Sequence, residues 1–340
     1  MIPHSKPFWG EEEVAELTAC ARSLQLKGGP RVQILETDIA RDLGYKGAVA
    51  TVTGSQAIQL ALRAHSTAGE PVACQSYVCR SVYDAIALAG CEPRLMDIDA
   101  GTFSISFEQV GRSGIGTVIV PHMFGIRAPL ERFMEAGLFV IEDCAQRLAP
   151  LNIAAVEPRP AVRVLSFEAT KLLTSGEGGL LLSDDVELLH RARQMRDAAY
   201  DYPFPAPGLR PTDLQAAVAR AQWSRLPGFL ARRREIAELY LRRIEAEPAM
   251  HAPDTYHFRF VLRTRDAETF IRAAAAHGVT VRRPVAPVCL HTLFRAGGDF
   301  PESEAAAREV VSLPIYPALT GAEAERVAEA AVSAAKLVSR

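Results

Sequence analysis

Lys171 lies in apolar surroundings, after the strand-like run 162–167 and directly before two leucines. Partial desolvation of a lysine favours the uncharged amine, which can attack a carbonyl carbon and form a Schiff base. The glycine-rich run 176–179 follows, and its glycines would let the chain fold back close to a ligand before the next strand. An isolated lysine more often extends its ammonium group into solvent, so this chemistry depends on what accompanies Lys171.

A carboxylate, that of Asp143, ends the apolar run 138–143. In an open α/β sheet the carboxyl ends of the strands face the ligand crevice, so this side chain is expected to point at a ligand. There it could pair with a protonated ring nitrogen, and exclusion of water would strengthen that pair. The alternative is an aspartate that caps the next helix.

Small polar residues follow the run 48–53, where Gly54 and Ser55 lie between a predicted strand and a predicted helix. Glycine allows the backbone to approach an anion closely, and the Ser55 hydroxyl can donate a hydrogen bond to it. The free amides at the positive end of the helix add to the attraction. The turn is therefore a candidate phosphate site, and the alternative is that Ser55 is only the N-cap of the helix.

The elements that must position these residues alternate between β-branched runs and amphipathic stretches. This is the pattern of parallel strands joined by crossover helices, and continuous apolar runs are typical of strands covered on both faces. Strands are predicted at residues 48–53, 71–75, 93–98, 117–121, 138–143, 162–167 and 179–183. Helices are predicted between them, for example at 55–64 and 185–196. The sequence thus predicts an α/β fold with a seven-stranded, mainly parallel sheet.

Further elements are predicted on both sides of this core. Two helices, at 11–23 and 31–43, precede it and are separated by a glycine turn. After it, a helical stretch interrupted near Pro227 leads into a second α/β region. The predicted elements there are a helix from 214 to about 245, strands at 256–262 and 280–283, and helices at 267–276 and 321–338. We expect a large domain of residues 1–230 and a smaller C-terminal domain of residues 231–340.

Length and composition exclude several classes of protein. A chain of 340 residues with 49% apolar and 23% charged residues is typical of a globular protein with one large and one smaller domain. Because 38 basic side chains balance 40 acidic ones, nucleic acid is not an expected partner. No apolar stretch is long enough to span a bilayer, and no leader-like segment is visible. Six scattered cysteines without a C-x-x-C pair indicate reduced thiols, so we expect a cytoplasmic protein without a metal site.

In this order and spacing, the three stretches resemble the DegT/StrS family of pyridoxal-phosphate sugar aminotransferases. The family's G-T-x-A-L turn is similar to residues 54–58, with Ser55 in place of threonine. Its E-D-x-A-Q run matches residues 142–146, and its S-F-x-x-x-K-x-x-x-x-G-E-G-G run matches residues 166–179 at every named position. The family's V-H-x-x-G, D-I-Q-A-A and S-L-P-x-x-P segments look like residues 121–125, 213–217 and 312–317. The resemblance covers nearly the whole chain.

This resemblance implies the pyridoxal-phosphate transferase fold of type I and a homodimer whose active sites lie at the interface. Lys171 would hold the cofactor as a Schiff base and move a proton between the substrate carbon and the cofactor. Asp143 would keep the ring nitrogen protonated, and Gln146 would contact the ring hydroxyl. The residues that would hold the phosphate are Gly54, Ser55, Gln56 and Ser166.

The chain departs from the family pattern in several places. Cys79 stands where the family usually has an aromatic residue that stacks on the pyridine ring, and Tyr77 precedes it by two residues. Gly208 stands where the family supplies a phosphate-binding asparagine from the partner subunit. Arg210 keeps the arginine of that run, where it either contacts phosphate or substrate across the interface or is solvated.

Two histidines are further substrate candidates by resemblance, namely His122 in the V-H-x-x-G segment and His291 in a run similar to the family's P-L-H. The segments 148–163 and 200–207 are short compared with the family, which favours an acceptor smaller than, or different from, a nucleotide-linked sugar. The combined prediction is an aminotransferase that passes an amino group, from glutamate by family analogy, to a keto-sugar or related carbonyl acceptor.

Two alternatives remain open. One is a pyridoxal-phosphate lyase, dehydratase or condensing enzyme of the same fold, although Lys171 argues against the family's sugar dehydratases, in which that lysine is replaced. The other is a non-catalytic relative, as Gly208 and Cys79 could suggest.

Overall fold

Seven short strands form the central sheet of the computed structural model, which describes residues 1–66, 68–148, 159–198, 210–244 and 255–338. Three of them, at residues 117–121, 162–166 and 179–183, are buried along their whole length, as continuous apolar runs predict. The strands are β1 (Gly47–Thr51), β2 (Pro71–Gln75), β3 (Glu92–Met96), β4 (Thr117–Pro121), β5 (Phe139–Asp143), β6 (Val162–Ser166) and β7 (Gly179–Ser183).

The strand order across the sheet is β1-β7-β6-β5-β4-β2-β3. All neighbours are parallel except β7, which runs antiparallel to both β1 and β6. The expected seven-stranded, mainly parallel sheet is therefore confirmed. In this order the ends of β5, β6 and β1 and the start of β7 meet at one edge of the sheet, where Asp143 and Ser166 end their strands.

Helices cover the sheet, and local sequence signals explain where several of them begin. Pro30 occupies the first turn of α2, Thr53 caps α3, and Asp185 caps α7 by accepting two backbone N–H bonds. The helices of this part are α1 (Glu11–Ser23), α2 (Pro30–Asp42), α3 (Gly54–His65), α4 (Arg80–Leu88), α5 (Phe107–Ser113), α6 (Leu130–Glu135) and α7 (Val186–Asp197).

The C-terminal part is built on one long helix and a two-stranded sheet. Helix α8 (Asp213–Arg243) is followed by β8 (Phe260–Arg263), α9 (Ala267–Ala276), α10 (Leu290–Phe294), α11 (Pro301–Glu309), β9 (Val310–Leu313) and α12 (Gly321–Val338). Strands β8 and β9 pair antiparallel. A separate apolar cluster, from Ile236 in α8 to Ala334 in α12, fills this part, and Ile2 packs into it from the other end of the chain.

Two predicted features of this part were wrong. The helix near Pro227 is not interrupted, because Trp223, Leu226 and Phe229 are buried on both sides of the proline and hold the helix to its neighbours. Residues 280–283 do not form a strand and contribute only an isolated bridge between Arg282 and Ser312. Pro284, which lacks an amide hydrogen, follows and limits further pairing.

The predicted boundary at residue 230 falls inside α8 and stays a prediction. Within the described ranges, no helix has both the length and the apolar character that crossing a membrane requires.

Candidate active site

A cavity of about 390 Å³ opens at the edge of the sheet where the three predicted stretches end. This volume lies in the range of about 300–1,000 Å³ that is usual for small-molecule sites. Of the residues predicted for the site, it is lined by Gly54, Ser55, Cys79, Asp143, Gln146, Ser166 and Lys171. Lys171 and Asp143 therefore face the same space.

The turn between β1 and α3 forms one wall of this cavity. Thr53, rather than Ser55, is the N-cap of α3, since its side chain accepts a hydrogen bond from the Gln56 N–H at 3.2 Å. The Ser55 hydroxyl makes no hydrogen bond with a described residue and lies at the positive end of the helix. An ideal Cβ at Gly54 would lie 2.8 Å from Cβ of Ser166, so glycine is what allows the turn to lie against the end of β6.

A second close approach occurs at Gly179, the first residue of β7. An ideal Cβ there would lie 2.6 Å from the Gly54 nitrogen and closer still to the Thr53 carbonyl. Any side chain at this position would push the β1–α3 turn away from the sheet. Gly179, at the end of the glycine-rich run after Lys171, thus allows the candidate phosphate turn to lie against the start of β7.

The Asp143 carboxylate is almost fully buried at the floor of the cavity, with 7% of its surface exposed. Its Oδ1 accepts a hydrogen bond from the Ala145 N–H at 2.9 Å. Burial raises the pKa of Asp143, although the Ala145 hydrogen bond and the charge of Lys171 act in the opposite direction. A cationic partner, such as a protonated ring nitrogen, would stabilise the charged carboxylate form of this buried acid.

The neighbouring Glu142 points to the other face of β5 and is not part of the cavity. It pairs with Arg163 on β6, and its Oε1 accepts a bond from His122 Nε2 at 2.7 Å. Burial alone would raise the pKa of Glu142, but Arg163 and His122 lower it to about 2. His122 Nδ1 accepts the Ala128 N–H at 2.9 Å, so Nε2 carries the proton that is donated to Glu142.

Lys171 lies on the loop between β6 and β7, and its side chain is partly buried. Its Nζ lies 5.5 Å from the centroid of the Phe258 ring, which comes from the C-terminal part. The loop is held by Glu168, whose carboxylate accepts bonds from the Thr170 N–H at 3.0 Å and the Thr170 hydroxyl at 2.7 Å. The amine thus lies on a loop that joins two paired strands and is stabilised by hydrogen bonds between Glu168 and Thr170.

Gln146 lines the cavity beside Asp143, and its amide orientation is set by its surroundings. Its Oε1 accepts the Phe124 N–H at 2.7 Å, which leaves Nε2 as the donor that can serve a ligand. Among the described residues, the hydrogen-bond partner of Nε2 is the Met123 sulfur at 3.8 Å, which is a weak acceptor.

Five predicted site residues do not line the cavity. His122 is enclosed by the partners given above, and His291 bonds Ser76 Oγ through Nδ1 at 2.7 Å. Tyr77 is buried in the core, with 1% of its surface exposed. Gln56 contributes its backbone to the α3 cap, and Arg210 is exposed. Gly208, residues 200–207 and much of 148–163 lie outside the described residues.

The cavity also contains residues that the sequence prediction missed. Glu168, Thr170 and Glu177 line it on the Lys171 side, and Ser81 lies beside Cys79 and donates to its sulfur at 3.2 Å. The signal for the first three was present, since they lie inside the matched run 166–179. Burial, followed by the nearby Glu168, raises the pKa of Glu177.

Comparison with known proteins identifies the family of this chain. Residues 7–332 match the DegT/DnrJ/EryC1/StrS aminotransferase family. The chain belongs to this family. The expected family and the enzyme class are therefore confirmed, and this DegT/DnrJ/EryC1/StrS member is an aminotransferase with pyridoxal phosphate as its cofactor.

Several relatives match over almost their whole length. The spore coat polysaccharide biosynthesis protein SpsC of Bacillus subtilis is 28% identical, with 97% of this chain and 96% of the relative covered. The dTDP-4-dehydro-2,3,6-trideoxy-D-glucose 4-aminotransferase of Saccharopolyspora spinosa is 27% identical, with 97% and 95% covered. The crystal structure of the aminotransferase TlmJ from Streptoalloteichus hindustanus superposes with a TM-score of 0.88 at 26% identity, with both chains covered completely. These matches confirm the fold.

The residues present fit pyridoxal phosphate. The hydroxyls of Ser55 and Ser166, the Oδ2 atom of Asp143 and Lys171 Nζ make no hydrogen bond with any described residue. The cavity therefore offers donors for a phosphate, an acceptor for a ring N–H and an amine, which are the three functions that this cofactor needs.

Proposed function

We propose that this aminotransferase moves an amino group from an amino donor, glutamate, to a keto-sugar or a related carbonyl acceptor. The observation that carries the proposal is that Lys171, Asp143 and the β1–α3 turn face one cavity. The Saccharopolyspora spinosa relative is a sugar 4-aminotransferase by its name, which supports a keto-sugar as the acceptor.

Each residue has a distinct task in this proposal. Bound pyridoxal phosphate supplies an electron-accepting ring that stabilises negative charge on the substrate carbon. Asp143 holds the proton on the ring nitrogen, because a carboxylate without water around it pairs strongly with a cation. Lys171 Nζ holds the cofactor, and after its release moves the proton at the reacting carbon as a general base and then a general acid.

The other cavity residues bind and orient the cofactor. The free hydroxyls of Ser55 and Ser166 and the amides at the start of α3 bind the phosphate, assisted by the helix dipole. Gln146 Nε2 donates to the ring hydroxyl, since its Oε1 is already used by Phe124. Cys79 lines the cavity where the family has an aromatic residue, and its sulfur would lie against the ring. Together these contacts keep the reactive carbon near Lys171.

We further propose that the protein is a cytoplasmic homodimer in which the partner chain completes the site. Arg210 is exposed and makes no part of the cavity of its own chain, which fits a role across an interface. All six cysteines are free, as expected in a reducing compartment. Light scattering of the purified holoenzyme should give the mass of two chains, and a monomer with full activity would refute the shared site.

The central experiment uses Lys171→Ala, with the exposed Lys336→Ala on α12 as the matched control. The wild type and the control should show the visible absorbance of lysine-bound cofactor, and glutamate should convert it to the pyridoxamine form. Lys171→Ala should lack the visible band and turnover. Turnover by Lys171→Ala, or a wild-type spectrum that no amino acid changes, would contradict transamination and favour elimination chemistry or a non-catalytic relative.

A further inference from the structure

Two arginines of the C-terminal part, Arg259 and Arg282, lie close together without an anion. Among the described residues neither guanidinium pairs with a carboxylate, and Arg259 Nε is buried without a hydrogen-bond partner. Burial lowers the pKa of Arg259 to about 10, Glu168 acts against this change, and Arg282 adds to it. A partly buried cation without a counter-ion, as Arg259 is among the described residues, destabilises the folded chain, and the exposed Arg282 adds a second positive charge to it; this arrangement suits an anion.

His4 and Ser312 fix the direction of the Arg259 side chain. Arg259 Nη1 donates to His4 Nδ1 at 3.2 Å, and His4 Nε2 contacts Ser312 Oγ at 3.0 Å. Burial and then the two arginines lower the pKa of His4 to about 3, so at neutral pH the ring is uncharged and can accept from Arg259. The guanidinium is therefore held in place, and its Nη2 makes no bond with a described residue.

Arg259 lies near the amine of Lys171. Lys171 Nζ lies 5.5 Å and Arg259 Cζ lies 4.5 Å from the centroid of the same Phe258 ring, so the two cations are separated by no more than the sum of these distances. Glu168, which lines the cavity together with Lys171, attracts Arg259 electrostatically. A dicarboxylic amino acid with its nitrogen at Lys171 can span this separation.

We propose that Arg259 and Arg282 form the subsite that binds a carboxylate of the amino donor. A carboxylate and a guanidinium form charge-assisted, often bidentate hydrogen bonds, and His4 orders Arg259 in advance for such a contact. The bound carboxylate supplies the missing counter-ion and keeps the donor's amino group beside Lys171. This subsite rests on the proposed transamination from glutamate and identifies the feature of the donor that the enzyme recognises.

The ligand is assigned as a carboxylate rather than a phosphate of the acceptor because of Glu168. Glu168 lines the cavity and acts electrostatically on Arg259, and its carboxylate repels a doubly charged phosphate more strongly than a single carboxylate. The β1–α3 turn, which lines the cavity, already provides the amides and hydroxyls that phosphate prefers.

The test measures binding to the holoenzyme by calorimetry, with glutarate as an unreactive dicarboxylate and inorganic phosphate as the second probe. The variants are Arg259→Gln and Arg282→Gln, and Arg282 is exposed. The matched control is Arg272→Gln, at an exposed position of α9. We expect glutarate to bind at least about tenfold more weakly to both variants and unchanged to the control, and Arg259→Lys to retain part of the affinity. The rate constant for conversion of the cofactor by glutamate should fall by the same factor, while that for n-propylamine, which has no carboxylate, stays unchanged.

Equal glutarate affinity in Arg259→Gln, Arg282→Gln and the wild type would overturn the assignment, as would a loss confined to phosphate binding. Arg282→Gln keeps the test valid if Arg259→Gln fails to fold, because Arg282 is exposed. Failure of the proposed function is a different result: in that case glutarate binds the wild type but glutamate does not convert its cofactor.

Discussion

Replacement of Gly179 by alanine tests whether the start of β7 sets the position of the phosphate turn. The new Cβ would lie 2.6 Å from the Gly54 nitrogen, against an ordinary contact distance of about 3.5 Å. The turn or the strand must therefore move by about 1 Å. The clashing atoms of the turn are backbone, and β7 is paired with a strand on each side, so no flexible side chain can absorb the strain.

The size of the effect follows from this displacement. Overpacking of a well-packed site costs about 1–3 kcal/mol of the free energy of unfolding. A displacement of about 1 Å at the cofactor can lower turnover about a hundredfold. We therefore expect Gly179→Ala to lower the unfolding temperature and to weaken the binding of pyridoxal phosphate to the cofactor-free protein. Turnover at a temperature where the variant is still folded should also fall.

The matched control is Gly228→Ala in α8, where nothing lies within 4 Å of the added Cβ. That change should raise stability by about 0.5–1 kcal/mol, since alanine loses less backbone entropy in a helix than glycine. Thermal unfolding followed by circular dichroism, and titration of each cofactor-free protein with pyridoxal phosphate, measure both effects. Wild-type cofactor affinity in Gly179→Ala would refute the reasoning.

Substitutions at three further positions probe the buried polar groups. Asp143→Asn should lower turnover by about 10²-fold or more and yet stabilise the cofactor-free protein by about 1–3 kcal/mol at pH 7. Because burial raises the pKa of Asp143, its cost is present above the usual carboxyl pKa and disappears as the pH falls below it, so denaturant midpoints of variant and wild type should converge in acid. Glu142→Ala should cost about 3–5 kcal/mol because it removes the buried carboxylate that pairs with Arg163. Because the pKa of Glu142 is lowered to about 2, the carboxylate stabilises the wild type above about pH 5, and this stabilisation is lost between about pH 5 and about pH 2. Acid unfolding curves that do not differ between the wild type and Glu142→Ala would contradict this pH dependence. His291→Phe should cost about 1–3 kcal/mol by removing the 2.7 Å bond to Ser76, His291→Asn should restore part of it, and thermal unfolding of the two variants compares them.

The sequence predicted the sheet and the convergence of the site because both depend on patterns that repeat along the chain. Asp143 and Ser166 each end an apolar run, and ends of parallel strands meet at one edge of a sheet. The direction of β7 was not predictable in this way, since its apolar run is the same whether the strand runs parallel or antiparallel to β6. The helix through Pro227 likewise depends on tertiary packing rather than on local preference.

The site residues that could not be assigned from the sequence differ from their neighbours only in three dimensions. Thr53 and Ser55 are both good helix caps, and the capping geometry alone decides which hydroxyl stays free. His122 and His291 lie in runs similar to family segments, but each is held by internal partners that the sequence does not reveal. Arg259 is distant in sequence from Lys171, and the fold places both side chains near the ring of Phe258.

The position of β1 at the border of the sheet has a consequence for synthesis on the ribosome. In the described sheet β1 hydrogen-bonds only to β7, although the rest of the sheet lies between them in the sequence. Such distant pairing is slow to form, and it cannot begin until residues 179–183 have been translated. The nascent chain would thus acquire its cofactor late, after the other strands have already been made.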